Sequence, residues 1–530
     1  MSRSASLSAA TVHDIVKRDD VRGAWPEQLS PAMVSCFGAG FARLLEGKGA
    51  AHPCVVLGYD ARHGSADLAA AFARGFHANG GQVVDLGLCS TEHVYYMTGR
   101  YEGRYAGGAM ITASHNPKGD NGIKFVLSGA RPPDSTDLAA LQVHVIAELR
   151  RDFSDVSGAR ATLDPKEEFA DFALALVGLD LLPAGIASGR RVVVSAGNGV
   201  GGVAFAPLAQ RLERLGFEFI FLDETPDGDF PHGVPNPLSA AFVGRLKDCV
   251  ASERADLGIG FDGDGDRAGF ITAAGVEVTA SQVIALLAER LLAAAGPDAV
   301  LMRNLCCSRL LVDTFGSRPS VTIVDTPVGH GKIKQLMRHE HYRDRVAFAG
   351  EHSGHYFYRE FYYVDSGTLT ALHMLRLLAE GVPPNGRSLD DVLQPWSDAY
   401  AWSTEINYGF GSAEAVRQAA AALEDAFRDS GGTRYEIRED PALGLDRAFP
   451  VAADDIYDPF TRSIYDLKLE FDQDNGSGWW FVVRPSGNES AFQLRLNVES
   501  WGGDPAAATA RHVQDIETVF AAFGGSRRTG

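Results

Sequence analysis

One supersecondary pattern, met three times, constrains this chain more than any other feature. A short apolar run, Val55-Val-Leu-Gly58, leads into a helix-like stretch from Asp67 to Asn79 and out through a second strand, Gln82-Val-Val-Asp-Leu86. The order returns in Arg191-Val-Val-Val-Ser195, Val203 to Leu215 and Phe217-Glu-Phe-Ile-Phe-Leu222. It returns again in Ala299-Val-Leu-Met302, Arg309 to Phe315 and Val321-Thr-Ile-Val324. Short apolar strands joined by a helix are the mark of parallel pairing, because parallel strands need a crossover that runs back along the sheet. The units stand a domain's length apart, too far for a stacked solenoid. The expected fold class is α/β, with three consecutive α/β domains whose mixed sheets are built on βαβ units.

Later in the chain the pattern changes. Trp479-Trp-Phe-Val-Val483 and Phe492-Gln-Leu-Arg-Leu-Asn-Val498 are strand runs around a polar turn, and Pro505 to Phe523 reads as a helix. A smaller C-terminal α+β domain is expected there. The stretch from Gly431 to Ser477 is rich in Asp, Gly and Pro and reads as loops inserted in that domain. The expected domains are 1–162, 163–276, 277–390 and 391–530, with Pro383-Pro-Asn-Gly386 as a linker or loop near the third boundary. That count suits 530 residues at roughly 150 per domain.

A formal net charge of -19 argues against nucleic acid or an anionic membrane as partner, since both need a basic surface. A small phosphorylated ligand needs only a local cluster of Arg, Lys and His and stays open. The first 25 residues lack the apolar core of a leader peptide, and the most apolar helix-like run, Val283 to Gly296, is broken by Glu289 and Arg290. The six cysteines show no metal-ligand spacing. A cytoplasmic protein with reduced thiols is expected.

Four short segments carry chemistry. Asp262-Gly-Asp-Gly-Asp-Arg267 places three carboxylates at alternate positions after the apolar Leu257-Gly-Ile-Gly-Phe261. Alternate side chains of an extended segment point the same way, so three oxygens can converge on one hard cation, Mg²⁺ before zinc. An EF-hand is excluded by Arg267 and Ala273 at positions that require Gly and Glu. Thr112-Ala-Ser-His-Asn-Pro117 sets the Ser114 hydroxyl beside His115 in a turn-forming stretch, without the flanking glycines of a hydrolase elbow. Gly350-Glu-His-Ser-Gly-His355 is dense in groups that could bind sugar hydroxyls. Arg484-Pro-Ser-Gly-Asn488 offers a guanidinium and a loose backbone for a phosphate. Gly329-His-Gly-Lys332 is not a P-loop, because Thr326 and Ile333 stand where Gly and Ser or Thr are required.

Together these segments resemble the four signature loops of the α-D-phosphohexomutase superfamily, in its phosphomannomutase/phosphoglucomutase group. They stand in that family's order, one per expected domain. Asp20-Val-Arg-Gly23, Asn121-Gly-Ile-Lys124, Ala196-Gly-Asn-Gly199, Pro226-Asp-Gly-Asp-Phe-Pro231 and Arg495-Leu-Asn-Val-Glu-Ser500 resemble it too. The resemblance implies domains around a central cleft, with Ser114 carrying a phosphoryl group. It implies one Mg²⁺ per chain, held by Ser114, Asp262, Asp264 and Asp266. Arg22 and Arg267 would sit near the phosphoryl group, and His115 and Lys124 are the acid/base candidates. Substrate-binding roles fall to His330, Glu351, Ser353, His355, Arg484, Ser486, Gly487 and Asn488. The implied activity interconverts hexose 6-phosphate and hexose 1-phosphate through phosphoserine and a 1,6-bisphosphate, which also serves as activator. Hexose phosphates are the expected partners, and the expected assembly is a monomer or homodimer.

Thr326-Pro-Val-Gly-His330 resembles the hexose mutases, whereas glucosamine mutases usually carry Asp-Arg after that Gly and Gln in place of His352. Mannose is therefore the favoured sugar, with glucose plausible. The alternatives are a phosphoglucomutase, a glucosamine mutase or a sugar-phosphate-binding homologue with weak turnover. Three positions depart from the family's usual pattern: Asp19 for Tyr, Cys306 for Lys, and Asn488-Glu-Ser490 after Gly487.

Overall fold

In a computed structural model of the chain the described residues are 7–157, 160–382, 387–427, 430–440, 443–451, 467–473, 475–485 and 492–528. They form two compact units, Met1–Thr279 with Ser353–Asp390, and Ala280–His352 with Asp391–Gly530.

The first unit contains two mixed sheets. In one, the strand order is Val21–Ala24, Asp120–Leu127, Gly107–Ile111, Cys54–Tyr59, Gln82–Leu88 and Ala161–Thr162. Its centre is the first βαβ unit: Cys54–Tyr59 lies parallel to Gln82–Leu88 and to Gly107–Ile111, and the helix Ser65–Ala78 makes the crossover. Phe37, Phe41, Phe72, Phe76 and Phe125 fill the core on that helix's side. Asp120–Leu127 returns antiparallel to Gly107–Ile111, so the segment between them, which contains Ser114, is a turn at a strand end.

The second sheet repeats the device. Arg190–Ser195 is parallel to Phe217–Leu222 and to Leu257–Phe261, and the helix Gly201–Leu212 covers the crossover. Ala268–Thr272 returns antiparallel to Leu257–Phe261 and makes Asp262–Arg267 the connecting turn. Both polar turns thus follow the carboxyl end of a parallel strand, where α/β sheets place their ligands.

In the second unit Ala299–Asn304 lies parallel to Val321–Thr326 and to Val346–Gly350. A sheet of eight strands follows in antiparallel order: Leu445–Val451, Thr433–Asp440, Leu467–Asp472, Gly478–Pro485, Gln493–Trp501, Ile406–Gly409 and Ser526–Arg527, with Tyr400–Trp402 also on Gln493–Trp501. The helices Ala413–Phe427 and Pro505–Ala521 cover one face of this sheet. Trp480, Val482, Ile437 and Ala448 on the other face pack against Leu305 and Cys306. Cys306 is thus a core residue, one of six free cysteines.

The stretch from Gly431 to Ser477 corrects the expectation of loops: it contains three strands, Thr433–Asp440, Leu445–Val451 and Leu467–Asp472. Alternation is present in Leu467, Leu469 and Phe471, but Lys468 and Glu470 between them are buried as well. Lys468 Nζ lies 4.7 Å from the Tyr435 ring centroid and 4.9 Å from that of Trp480, and 3.5 Å from Glu470. That alternation is itself a strand signal, which the Asp, Gly and Pro content of the stretch overrode; what the sequence did not show is the burial of Lys468 and Glu470. The linker at 383–386 lies outside the described residues. No helix among the described residues is long and apolar enough to cross a membrane.

Candidate active site

The Ser114 turn is held from several sides. Ser114 adopts φ 50°, the left-handed region that costs a non-glycine residue energy and collects at functional sites. Its N–H donates to Thr112 Oγ1 at 2.8 Å. Buried Arg62 donates from Nη1 to the carbonyls of Pro117 (2.7 Å) and Asp120 (3.1 Å), and from Nη2 to those of Ser114 (2.7 Å) and Asn116. One guanidinium therefore satisfies four carbonyls of one turn. Asp60 accepts from Ser65 at 2.7 Å and lies 3.4 Å from Arg62. The Phe230 ring lies 5.3 Å from the same guanidinium.

The hydroxyl of Ser114 donates to Asp262 Oδ2 at 2.7 Å, and His115 Nδ1 lies 3.3 Å from it. The two turns meet through backbone as well: a Cβ on Gly263 would stand 2.4 Å from Ser114 O, so only glycine allows this approach. Arg22 comes from the edge strand, opposite Gly122, donates to the Thr112 carbonyl and pairs with Asp20 at 2.9 Å. Arg267 lies 3.6 Å from Asp262 and gives it a backbone N–H at 3.1 Å. Lys124 Nζ bridges Asp264 Oδ2 (2.6 Å) and Asp266 Oδ2 (2.5 Å), and Thr91 Oγ1 donates to Asp264 Oδ2 at 2.6 Å.

Charge explains the titration of this cluster. Burial would lower the Lys124 ammonium, but Asp264 and Asp266 outweigh it and raise its pKa, so Lys124 keeps its proton. Burial would raise Asp264, but Lys124 outweighs it and pulls Asp264 below the usual carboxylate range. Burial, with Asp266 and Asp264 adding repulsion, pushes Asp262 well above that range. The cluster is short of positive charge. Asp264 and Asp266 each spend Oδ2 on Lys124 and keep a buried Oδ1 with no hydrogen-bond partner among the described residues. The ligand oxygens of Asp262, Asp264 and Asp266 lie within 4.8 Å of one another. An all-oxygen set of this spacing fits a hard divalent cation such as Mg²⁺.

His355 stands in the same unit, 2.6 Å from Asp365 and 3.9 Å from Asp266. The segment Gly350-Glu-His-Ser-Gly-His355 divides between the units, Ser353 and His355 in the first and Glu351 in the second.

In the second unit Glu351 Oε1 accepts from Asn304 Nδ2 at 3.0 Å and from the Gly329 N–H at 2.9 Å, at the start of the helix His330–Arg338. Asn304 Nδ2 also meets His352 Nδ1 at 3.1 Å. Arg484 is paired with Glu405, whose other oxygen takes Arg495 Nη1 at 2.8 Å, and His352 Nε2 lies 3.4 Å from Glu405. Ser486, Gly487 and Asn488 lie outside the described residues.

Three consecutive stretches match family models: phosphoglucomutase/phosphomannomutase α/β/α domain I over residues 13–148, domain II over 169–275 and domain III over 279–399. A protein described as "Phosphohexose mutases" from Xanthomonas campestris pv. campestris (strain B100) is 35% identical over 507 residues, 95% of this chain and 98% of the other. The chain belongs to the α-D-phosphohexomutase superfamily. A phosphomannomutase of Salmonella montevideo is 32% identical over 498 residues, 92% of this chain and 95% of its own. In fold, the phosphohexomutase chain is similar to a crystallised phosphoglucomutase/phosphomannomutase family protein from Burkholderia thailandensis. The TM-score is 0.72 at 24% identity, covering 97% of this chain and 99% of that one. The fold is three consecutive α/β/α domains with a β-rich C-terminal domain.

Motif reading of this phosphohexomutase missed Arg62, Thr91, Asp365 and Glu405. Each acts on a motif residue from an unrelated segment, and none stands in a recurring spacing. Arg62 had one usable signal: Asp60-Ala-Arg62 follows a parallel strand at its carboxyl end.

Proposed function

We propose that this phosphohexomutase interconverts hexose 6-phosphate and hexose 1-phosphate, with mannose phosphates as preferred substrates and glucose phosphates as secondary ones. Ser114 carries the transferable phosphoryl group. The observation that carries this reading is the Ser114 hydroxyl at 2.7 Å from Asp262, beside three carboxylates and buried Lys124. Asp262, Asp264, Asp266 and the serine oxygen would hold Mg²⁺, which supplies charge neutralisation on the moving group.

In the first transfer the free hydroxyl of the sugar forms a bond to phosphorus as the bond from phosphorus to Ser114 Oγ breaks. The hydroxyl proton passes to His115, and the departing serine oxygen takes a proton from Lys124, the second acid/base candidate. Arg22 and Arg267 stabilise charge on the equatorial oxygens. The product is a hexose 1,6-bisphosphate. It reorients, returns its other phosphoryl group to Ser114 and leaves as the isomer, and the same bisphosphate serves as activator. Glu351, Ser353, His355 and His330 bind the sugar, and Arg484 with Ser486, Gly487 and Asn488 binds the phosphate that is not transferred.

A coupled assay with Mg²⁺ and trace bisphosphate, on mannose 1-phosphate, glucose 1-phosphate and glucosamine 1-phosphate, tests this reading. The expected order of kcat/KM is mannose, glucose, then glucosamine. The first two differ by about 10- to 100-fold, since one inverted hydroxyl is worth ~1–3 kcal/mol. Turnover confined to glucose assigns a phosphoglucomutase, and binding without turnover on any sugar defeats the reading. Normal turnover in Ser114→Ala defeats the phosphoserine route.

A further inference from the structure

Arg484 and Arg495 are direct partners across two antiparallel strands, Gly478–Pro485 and Gln493–Trp501. Like charges directly opposite one another on one sheet are destabilising, and an anion between them relieves the repulsion. Here that anion is the carboxylate of Glu405. Oε2 takes Arg484 Nη2 and Oε1 takes Arg495 Nη1 at 2.8 Å. His352 closes the third side, with Nε2 at 3.4 Å from Oε2.

The protonation of each member follows from its neighbours. Burial lowers the pKa of His352, so the ring is neutral. With Nδ1 facing an Asn304 amide N–H at 3.1 Å, its proton resides on Nε2 and points at Glu405. Burial would raise Glu405, but Arg484 and Arg495 hold it well below the usual carboxylate range, so it is ionised. Two guanidiniums thus share this one carboxylate. The side chains remain in contact with solvent, at 19% exposure for Glu405, 11% for Arg484 and 17% for Arg495. Two guanidiniums and an imidazole N–H around one anion are the donor set that takes a phosphate monoester dianion.

We propose that Glu405 is a built-in competitor for phosphate, seated between Arg484 and Arg495 until a phosphate ester displaces it. The inference rests on the mutase reading above and deepens it. A mutase whose bisphosphate turns over in place must release one phosphate and accept another at the same arginines within each cycle. A cradle of two bare arginines would hold a dianion too firmly for that exchange. A tethered carboxylate that re-enters as the phosphate leaves keeps the arginines neutralised and speeds the exchange, at a cost in affinity. Arg495 and His352 become phosphate ligands alongside Arg484.

The alternative is that Glu405 only orients the arginines, and the two roles predict opposite signs. Isothermal titration of the full-length protein with inorganic phosphate decides between them. Glu405→Gln should tighten the dissociation constant about tenfold, a change of ~1.4 kcal/mol. Glu405→Asp, which keeps the charge, should stay within about twofold of wild type. The gain should vanish in Glu405→Gln with Arg495→Gln, which ties it to this cradle. In turnover, Glu405→Gln should lower both KM and kcat, as expected when release is slowed. Unchanged or weaker phosphate binding in Glu405→Gln overturns the proposal, as does a gain that survives in the double variant. If the wild-type protein turns over no hexose phosphate, the mutase reading fails, and the titration still decides the role of Glu405.

Discussion

The Ser114 hydroxyl donates to Asp262 Oδ2 at 2.7 Å although the two residues sit on turns of different sheets. This serine is held in the left-handed region, with its oxygen against a carboxylate whose pKa burial and two neighbouring aspartates raise, and in the proposed mechanism that oxygen carries the phosphoryl group. Ser114→Ala should reduce turnover by at least about 10³-fold. The protein should stay folded, because losing one hydrogen bond to a charged group costs ~1.5–3 kcal/mol. Urea denaturation monitored by circular dichroism, run beside the assay, separates the two effects.

Lys124 bridges Asp264 and Asp266 at 2.6 and 2.5 Å with all three groups buried. Lys124→Met leaves two adjacent buried carboxylates without that cation and should destabilise the Mg²⁺-free protein by about 3–5 kcal/mol. Added Mg²⁺ should recover part of this, since a ligand that binds only the folded state stabilises it by mass action. A Tm that ignores Mg²⁺ in both wild type and variant would count against a cation at the aspartates.

Arg62 acts on Ser114 through four carbonyls of its turn. Lysine keeps the charge but lacks the planar fork, so Arg62→Lys should not replace it. We expect kcat to fall about 10- to 100-fold, the scale of a misplaced reacting group, while KM stays within about threefold. External guanidinium should restore part of the kcat of Arg62→Ala. A change in KM alone would mean that Arg62 shapes substrate binding instead.

Buried His93 accepts from the Ser90 N–H at 3.2 Å on Nδ1 and packs edge-on to Phe169 at 4.9 Å. Burial, with Lys166 adding repulsion, lowers its pKa to about 3. A folded value below the unfolded one means that the unfolded chain binds the extra proton. The stability due to neutral His93 is full above about pH 6.5 and is lost as pH falls toward 3, at up to about 1.4 kcal/mol per unit. His93→Gln should flatten the fall in stability between pH 6.5 and 4, read from urea midpoints across that range. An equal acid slope in both proteins would assign the loss to other groups.

Local chemistry made much of this protein legible. The βαβ alternation around Val55, Val192 and Val300 reflects strands buried on both faces, a pattern that apolar runs report directly. The three aspartates share one turn, so their convergence could be read from spacing alone. The burial of Lys468 and Glu470 was not legible in this way, because it depends on Tyr435 and Arg309, far away in the chain, and on Trp480 across a hairpin. Glu405 was equally invisible: its meaning is created by Arg484 and Arg495 meeting across two strands.

The amino-acid sequence by itself determined the alternation of strand and helix, the order of the four polar loops and the donor set for a hard cation. All of these depend on residues close together in the chain. Only the tertiary structure decided which groups share a charge: Ser114 with Asp262, Lys124 with Asp264 and Asp266, Glu405 with two arginines. The reason is physical. Periodicity records which face of an element is buried, whereas an ion pair or hydrogen bond forms only where sheet pairing and packing bring distant turns within about 3 Å.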